Sequence, residues 1–412
     1  MLYDNAQLVK IYLHLYQVTK NGFYKRIAEE TLEYVKREML DESGGFYSAQ
    51  DADSEGVEGK FFVWTPEEVS EILNDEQAEQ VFNFYYDVSE DGNFEEKNIL
   101  NVKNNLAETS ELLKIKHDKL VEILESSREK LFQTREKRIK PFRDEKVLVA
   151  WNGLMLAAFA EASAIFGNDE YLQIAKNNAD FILENMQTED GFLLRSWKDG
   201  EAKLNAYLED YANFADGLIE LFQVSGEVKY LKEAKRLIDL MIAEFWDEDS
   251  GGFFFTANNH EELLVRSKDF YDNATPSGNS VGADVLLKLS HLVGEGKYRR
   301  FATSVLRLVG AQIRKYPQAF GRALQAIEFY FDSVKEIVVV GEDRQELENV
   351  IWEMYLPNKV VVLADNTEEN AEFIPILQER RKIDEKPTAY VCENFTCQKP
   401  VTTADELKEQ LN

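Results

Sequence analysis

The chain is poor in the residues that usually announce a mechanism. Its 412 residues include two cysteines, Cys392 and Cys397, and four histidines, His14, His117, His260 and His291. Two cysteines exclude a disulfide framework. Their spacing is not the Cys-x-x-Cys redox motif, and two thiols alone do not make a structural zinc site, so no metal is expected and both read as structural residues. His14 and His291 fall within predicted helices and His117 near a helix start, so proton transfer by a pair of histidines finds little support. No apolar run reaches membrane-spanning length. Asp4 and Lys10 interrupt the N-terminus and no cleavage site follows, so no signal peptide is read there and the cytoplasm is the default location. Positive charge is also scarce: 47 Lys and Arg stand against 76 Asp and Glu, a net charge of −29, which argues against a nucleic-acid surface. There is no P-loop, no dinucleotide fingerprint after a strand and no Gly-x-Ser-x-Gly, so no cofactor is expected.

What the chain does contain is a repeated helical hairpin. In Asn205 to Phe255, the residues Tyr207, Tyr211, Phe214, Leu218, Leu221 and Phe222 recur at three- and four-residue steps and mark one helix face. Ser225-Gly226 ends that helix, since Gly takes a left-handed cap conformation at little cost. A second helix follows with Tyr230, Leu231, Ala234, Leu237, Ile238, Met241, Ile242 and Phe245 in register, and Gly251-Gly252 turns into a short aromatic strand, Phe253 to Phe255. The marker Tyr-x-x-x-Ala recurs at Tyr24, Tyr171, Tyr230 and Tyr298, and three of the four are followed by a Gly-Phe turn, Gly45-Phe46, Gly191-Phe192 and Gly252-Phe253. One amphipathic hairpin cannot bury its own apolar faces, so several must pack together.

Between the first two markers lies a long interruption. It opens with a polar loop, Ser48 to Gly56, and continues with a predicted strand, Lys60 to Trp64. Thr65-Pro66-Glu67-Glu68 is a helix start with a capping box. Another strand is predicted over Asn98 to Val102 and a long helix from about His117 to Arg138. From Val334 the texture changes to alternating strands and helices: Glu336 to Val340, Gln345 to Tyr355, Val360 to Leu363, Ala389 to Cys392 and Ala404 to Leu411. That alternation reads as a small α/β domain with a parallel sheet. The expected division is therefore 1–333, helical hairpins, and 334–412, a small α/β domain. The first helix enters its apolar register at Leu2 and Tyr3 without a cap, from which we expect the natural protein to start upstream of Met1.

If the hairpins close into a ring, loops at the inner-helix N-termini form a mouth, and the candidate site residues are taken from there. Glu209 and Asp210, flanked by Tyr207 and Tyr211, have the carboxylate-and-aromatic makeup of a sugar cleft, although carboxylates in a first helical turn also serve as caps. Asp51 and Asp53 begin like a calcium loop, but position twelve would be Phe62 rather than Glu. Catalytic or ligand-contacting use of that loop is the other reading. Trp151 and Asn152 offer an aromatic platform and an amide, or a core Trp beside a close helix contact. The basic run from Arg135 to Lys146, with Arg143 and Lys146 at its end, could hold an anionic group or merely favour a helix C-terminus. Asp4, Asp272, Ser277 and Asn279 complete the set, with Trp64 as a further stacking surface.

Several of these stretches carry a family resemblance. Met1 to Ala6, Asp53 to Trp64, Asp144 to Gly153, Pro276 to Ser280 and Tyr390 to Cys397 resemble the thioredoxin-domain-containing proteins related to spermatogenesis-associated protein 20. The resemblance covers essentially the whole chain. It implies an N-terminal thioredoxin-like domain, absent from this sequence, followed by an (α/α)6 toroid similar to N-acylglucosamine 2-epimerases and six-hairpin glycosidases. It also implies that the first toroid helices precede Met1. The expected fold is thus mainly α, an N-terminally incomplete (α/α)6 toroid with a small C-terminal α/β domain. The expected function is a carbohydrate-active or carbohydrate-binding module taking a sugar-like ligand, an epimerase or a hydrolase. In that reading Asp210 with Asp51 or Asp53 is the acid–base pair, Tyr211, Trp151 and Trp64 stack on the sugar, and Asn152 and Asn279 bind hydroxyls. The rival expectation is a non-catalytic scaffold serving a thioredoxin-like domain, with a mouth that is shallow or plugged. Neither nucleic acid nor membrane is expected as a partner.

Overall fold

The computed structural model describes residues 1–261, 264–394 and 396–412. Phe395, inside the last of the matching stretches, lies outside them. The chain divides into two units, 1–48 together with 145–412, and 49–144.

The larger unit is an α/α toroid. Among the described residues, four antiparallel hairpins follow one another: Leu2–Thr19 with Gly22–Glu38, Val149–Phe166 with Asp169–Asn185, Leu208–Ser225 with Val228–Phe245, and Gly278–Leu292 with Gly296–Ile313. Gly321–Phe331 is a ninth helix. The first helix of each hairpin packs on the first helix of the next, and Gly321–Phe331 continues the inner row. The Tyr-x-x-x-Ala markers fall in the first turns of the outer helices. There Tyr171, Tyr230 and Tyr298 bury their rings in the common core and the Ala four residues on lets the inner helix approach. Gly226 takes φ +71° at its helix C-cap, as its position predicts, and Gly167 does the same at φ +64°.

Two inner helices meet backbone to backbone. A Cβ on Gly153 would lie 2.5 Å from the Asn213 carbonyl carbon, and one on Gly217 would lie 2.7 Å from the Gly153 carbonyl oxygen. Val149–Phe166 is accordingly largely enclosed. It is long and apolar enough by composition to cross a membrane, but 72% of that stretch is buried inside the protein.

The Gly-Phe turns are held in a way the sequence did not suggest. The short strand expected over Phe253 to Phe255 reduces to a single bridge between Trp246 and Phe253. The Phe253 N–H instead donates to Asn279 Oδ1 at 2.8 Å, and Asn279 Nδ2 donates to the Phe253 carbonyl at 2.9 Å. Asn152 does the same for Phe46, at 2.8 and 3.0 Å. At the middle turn the Leu193 N–H donates to Tyr211 Oη at 2.9 Å. Each side chain sits near the start of the following inner helix, so each turn is stitched to the next hairpin.

The C-terminal sheet runs in the order Thr396–Cys397, Thr388–Glu393, Lys335–Val340, Lys359–Val362. It is mixed rather than parallel. Only the pair Lys335–Val340 and Lys359–Val362 is parallel, because Thr388–Glu393 returns antiparallel on the other side of Lys335–Val340. Strand alternation puts Val338, Val340, Val360 and Val362 into the core of the helical array. Ile337, Val339 and Val361 instead join a second core with Ile351, Trp352 and Leu407 of the domain's own helices. The domain is also tied to the array by polar bonds. Gln223 Oε1 accepts from the Val361 N–H at 2.9 Å, and Gln17 Nε2 donates to the Trp352 carbonyl at 2.8 Å. Cys392 and Cys397, expected as separate structural thiols, are disulfide-bonded, because the antiparallel pair sets them directly opposite one another.

The unit 49–144 contains the helices Pro66–Leu73, Glu76–Tyr85, Leu106–Leu113 and His117–Arg135 around their own small cores. The Thr65–Glu68 capping box is formed on both sides, at 3.2 and 3.0 Å. The strands expected at 60–64 and 98–102 shrink to one bridge, Trp64 with Asn98. Gly59 at φ +70° turns the chain there, and the Phe62 and Val63 N–H groups fold back to its carbonyl.

The close crossing decides the sign of a substitution. Gly to Ala in a helix interior ordinarily stabilises by about 1 kcal/mol. At Gly153 the new methyl meets backbone, and overpacking of that kind costs roughly 1–3 kcal/mol or more. Gly153→Ala is expected to lower the thermal midpoint. Gly310→Ala, in an outer helix where the added carbon meets nothing within 4 Å beyond its own helix backbone, is expected to leave the midpoint unchanged or raise it. Parallel melts of the two variants check this.

Candidate functional site

The inner helices enclose a cavity of about 410 Å³, inside the range of about 300–1,000 Å³ common for small-ligand sites. Its walls come from side chains at helical spacing: Lys10, His14 and Gln17 on the first inner helix, Leu154, Ala157 and Glu161 on the second, Asn213, Asp216, Glu220 and Gln223 on the third, Val281, Asp284 and Lys288 on the fourth, and Arg322, Gln325 and Glu328 on the last. The segment Tyr355 to Lys359 of the α/β domain closes one end, joining Gln17 and Gln223 from the C-terminal turns of their helices.

A buried charge cluster occupies one wall. Lys288 Nζ lies 2.9 Å from Asp216, 2.8 Å from Glu220 and 3.3 Å from Asp284. Arg322 Nη2 lies 2.8 Å from Asp216 and 2.6 Å from Asp284. Burial alone would push the Asp216 carboxyl up, but Lys288 and Arg322 outweigh it and hold the group well below the usual carboxylate range. Burial works against charge on Lys288 too, and Asp216, Asp284 and Glu220 reverse it, raising this ammonium well above its ordinary value. On the first two inner helices, His14 Nε2 is 2.7 Å from Glu161 Oε1, with Lys10 Nζ 3.6 Å from Glu161 Oε2. Burial would raise the Glu161 carboxyl, but His14 and Lys10 depress it. The Tyr355 ring packs beside His14 with centroids 5.2 Å apart.

Three atoms of this lining have no hydrogen-bond partner. Glu161 Oε2 and Asn213 Oδ1, both acceptors, and Arg322 Nε, a donor, are buried without a hydrogen bond. Native proteins rarely leave such groups unpaired.

None of the fourteen residues expected from the sequence lines this cavity. Asp210 is fully buried and bridges two helix starts: its Oδ1 accepts from the Ala150 N–H at 2.9 Å and its Oδ2 from the Tyr207 N–H at 2.8 Å. Arg195 Nη1 joins Asp210 at 3.1 Å and Glu209 at 2.9 Å, and its guanidinium lies 4.8 Å from the Tyr207 ring centroid. Burial pushes the Asp210 carboxyl up to about 6 against the pull of Arg195. Tyr211, Asn152 and Asn279 are the turn clamps described above. Burial raises the Tyr211 phenol to about 12. Trp151 packs edge-on against Tyr3, with centroids 4.8 Å apart. Asp272 accepts from the Ser277 N–H at 2.9 Å and the Arg322 N–H at 2.8 Å, and Ser277 caps the helix Gly278–Leu292 through the Ser280 N–H. Asp4 is exposed on the first helix and Lys146 on the strand Arg143–Leu148, where Arg143 is half-buried. Asp51 and Asp53 are exposed in the other unit, where the Asp53 N–H donates to Asp51. Trp64 is buried there under the Arg138 guanidinium, 4.0 Å from the ring centroid. The expected residues thus meet in small groups, Glu209 with Asp210 and Asp272 with Ser277, rather than in one cleft. Among the described residues no cluster of His, Cys, Asp and Glu suited to a metal occurs.

The fold and cavity define a class: a helical-hairpin toroid around a charged cavity, closed at one end by an α/β domain. Over its whole length the chain is 33% identical to spermatogenesis-associated protein 20 of Homo sapiens and of Rattus norvegicus, covering 58% and 57% of those proteins. The relationship implied by the matching stretches is borne out: the chain is a relative of spermatogenesis-associated protein 20 and spans less than two thirds of its length. No family model matches the chain. Among solved structures it is similar to a D-mannose isomerase, with TM-score 0.40 and 14% identity over 76% of each chain. At that level the likeness carries no statement about activity.

The Glu161 carboxylate gives the site a pH signature. Its folded-state pKa is depressed, so its contribution to stability is present above its unfolded value of about 4.5 and is lost as pH falls toward the folded value. Glu161→Gln is expected to destabilise by about 1.5–3 kcal/mol at pH 7, the size of a hydrogen bond to a charged group. The gap from wild type should narrow between pH 5 and pH 3. Denaturant melts across that range check it, and a constant gap counts against the assignment.

Proposed function

We propose that the central cavity binds a small, hydroxyl-rich molecule of the sugar class, and that His14 with Glu161 moves a proton on it. The observation that carries the reading is the trio of buried atoms without a hydrogen bond, Glu161 Oε2, which has only the Lys10 ammonium 3.6 Å away, Asn213 Oδ1 and Arg322 Nε. A hydroxyl group both donates and accepts, so neighbouring hydroxyls on one small molecule can satisfy two acceptors and a donor together. The apolar lining of Leu154, Val281 and Phe329 suits the C–H faces of such a ligand. A scaffold role would expect the centre to be filled by side chains, and about 410 Å³ is left open.

Within the sugar class, proton transfer at carbon is favoured over hydrolysis. Hydrolysis needs one carboxyl kept protonated as the acid, whereas Glu161 and Asp216 are both held toward the ionised form. Glu161 sits where an orienting carboxylate belongs, fixing the imidazole and stabilising the imidazolium that forms when His14 accepts a proton. Epimerisation or isomerisation follows from that pairing. A thioredoxin-like domain of the kind the family resemblance implies would act as a partner of this module rather than as part of its site.

The test is a thermal melt with a panel of monosaccharides, disaccharides, hexosamines and uronates. A ligand at 100 times its dissociation constant adds about 2.7 kcal/mol. One sugar class is expected to raise the wild-type midpoint and to lose most of that effect in Glu161→Gln. Loss in Asp210→Asn with retention in Glu161→Gln would move the site to Asp210, and a panel with no effect would overturn the reading.

A further inference from the structure

Two lysines of the same cavity stand in opposite surroundings. Lys288 is surrounded by three carboxylates within 3.3 Å. Lys359, entering from the α/β domain, has no carboxylate within 4 Å among the described residues. Its Nζ donates to the Leu356 carbonyl at 3.2 Å and lies 5.0 Å from the Trp352 ring centroid. Burial pushes the Lys359 ammonium down, and Glu161 and Glu220 offset only part of that, while Lys288 and Lys10 add to it. A lysine amine attacks a carbonyl only in its neutral form, and desolvation beside other cations is the usual way to obtain that form near neutral pH.

We propose that Lys359 is a carbonyl-reactive amine that condenses with the aldehyde or ketone of an open-chain sugar in this cavity. The Nζ lone pair adds to the carbonyl carbon and the carbonyl oxygen takes up a proton. The resulting carbinolamine then expels that oxygen as water while nitrogen gives up its proton. One amine and one carbonyl yield one imine and one water, with no change in oxidation state. The imine acidifies the neighbouring C–H, which makes His14 and Glu161 the groups to carry the proton. This deepens the sugar reading and rests on the cavity being its site.

The whole chain is incubated with glycolaldehyde and cyanoborohydride at pH 6.5, and alkylation of each lysine is followed by peptide mass mapping, with and without excess mannitol. Mannitol has hydroxyls but no carbonyl. Lys359 is expected to be alkylated severalfold faster than Lys288, whose carboxylate neighbours keep it charged, and than exposed lysines such as Lys203, which Glu201 keeps charged, and mannitol is expected to slow it. Labelling of Lys359 no faster than that of Lys203 overturns the amine even if mannitol slows it, which would leave the cavity reading standing. Fast labelling that mannitol does not slow supports the amine and counts against the sugar site. Lys359→Arg, which keeps the charge, is expected to remove the fast-labelled peptide without changing the labelling of other lysines.

Discussion

The cavity exists because Lys288 and Arg322 hold Asp216, Glu220 and Asp284 in the interior of a helical array. Left alone, any one of these charges would have to be neutralised or returned to water. Together they let three consecutive inner helices present charge to a common centre. Replacing such a cluster by well-packed apolar residues is often neutral or stabilising, so stability alone does not account for it. An apolar substitute would fill the centre, whereas charged side chains bonded to one another along the wall leave it open. Glu161, His14 and Lys10 repeat the device on a smaller scale on the first two inner helices.

The rest of the fold serves to keep those helices in place. The Gly153–Gly217 crossing lets the second and third inner helices touch through their backbones, which fixes how far Glu161 and Asp216 stand from the axis. Asn152, Tyr211 and Asn279 tie each Gly-Phe turn to the next hairpin, so the hairpins are coupled by hydrogen bonds as well as by apolar packing. Asp210 adds a further link by satisfying the starts of two neighbouring helices with one carboxylate, a position that burial makes costly to charge.

Much of this architecture is legible in the sequence. Tyr-x-x-x-Ala marks the outer helices, Gly226 marks a helix end, and the change of texture at Val334 separates the helical array from the strands. These are local signals, set by helix period and cap geometry. The mixed pairing of the C-terminal sheet and the loss of the 60–64 strand are set by contacts with distant residues and by the turn at Gly59. The candidate site suffered from the same limit. Carboxylates before helix starts are the conspicuous ones, and Asp210, Asp272 and Ser277 turn out to satisfy helix ends. The cavity residues lie mid-helix instead. Their signal was present as charges at four-residue spacing inside otherwise apolar runs, Asp216 with Glu220 and Asp284 with Lys288. That spacing alone does not tell an ion pair on the outside from a lining within.

The cavity draws on residues 7–17 at one extreme of its sequence span and on 355–359 at the other. During synthesis, therefore, the hairpins can stack in order while the pocket still lacks its floor. Lys359 and Tyr355 arrive last, carried by a domain whose own sheet must fold first. The cavity is thus complete only after the whole helical array and the start of the α/β domain have emerged. The last step of assembly is therefore the one that encloses the buried charges, and the partly stacked intermediates keep them open to water.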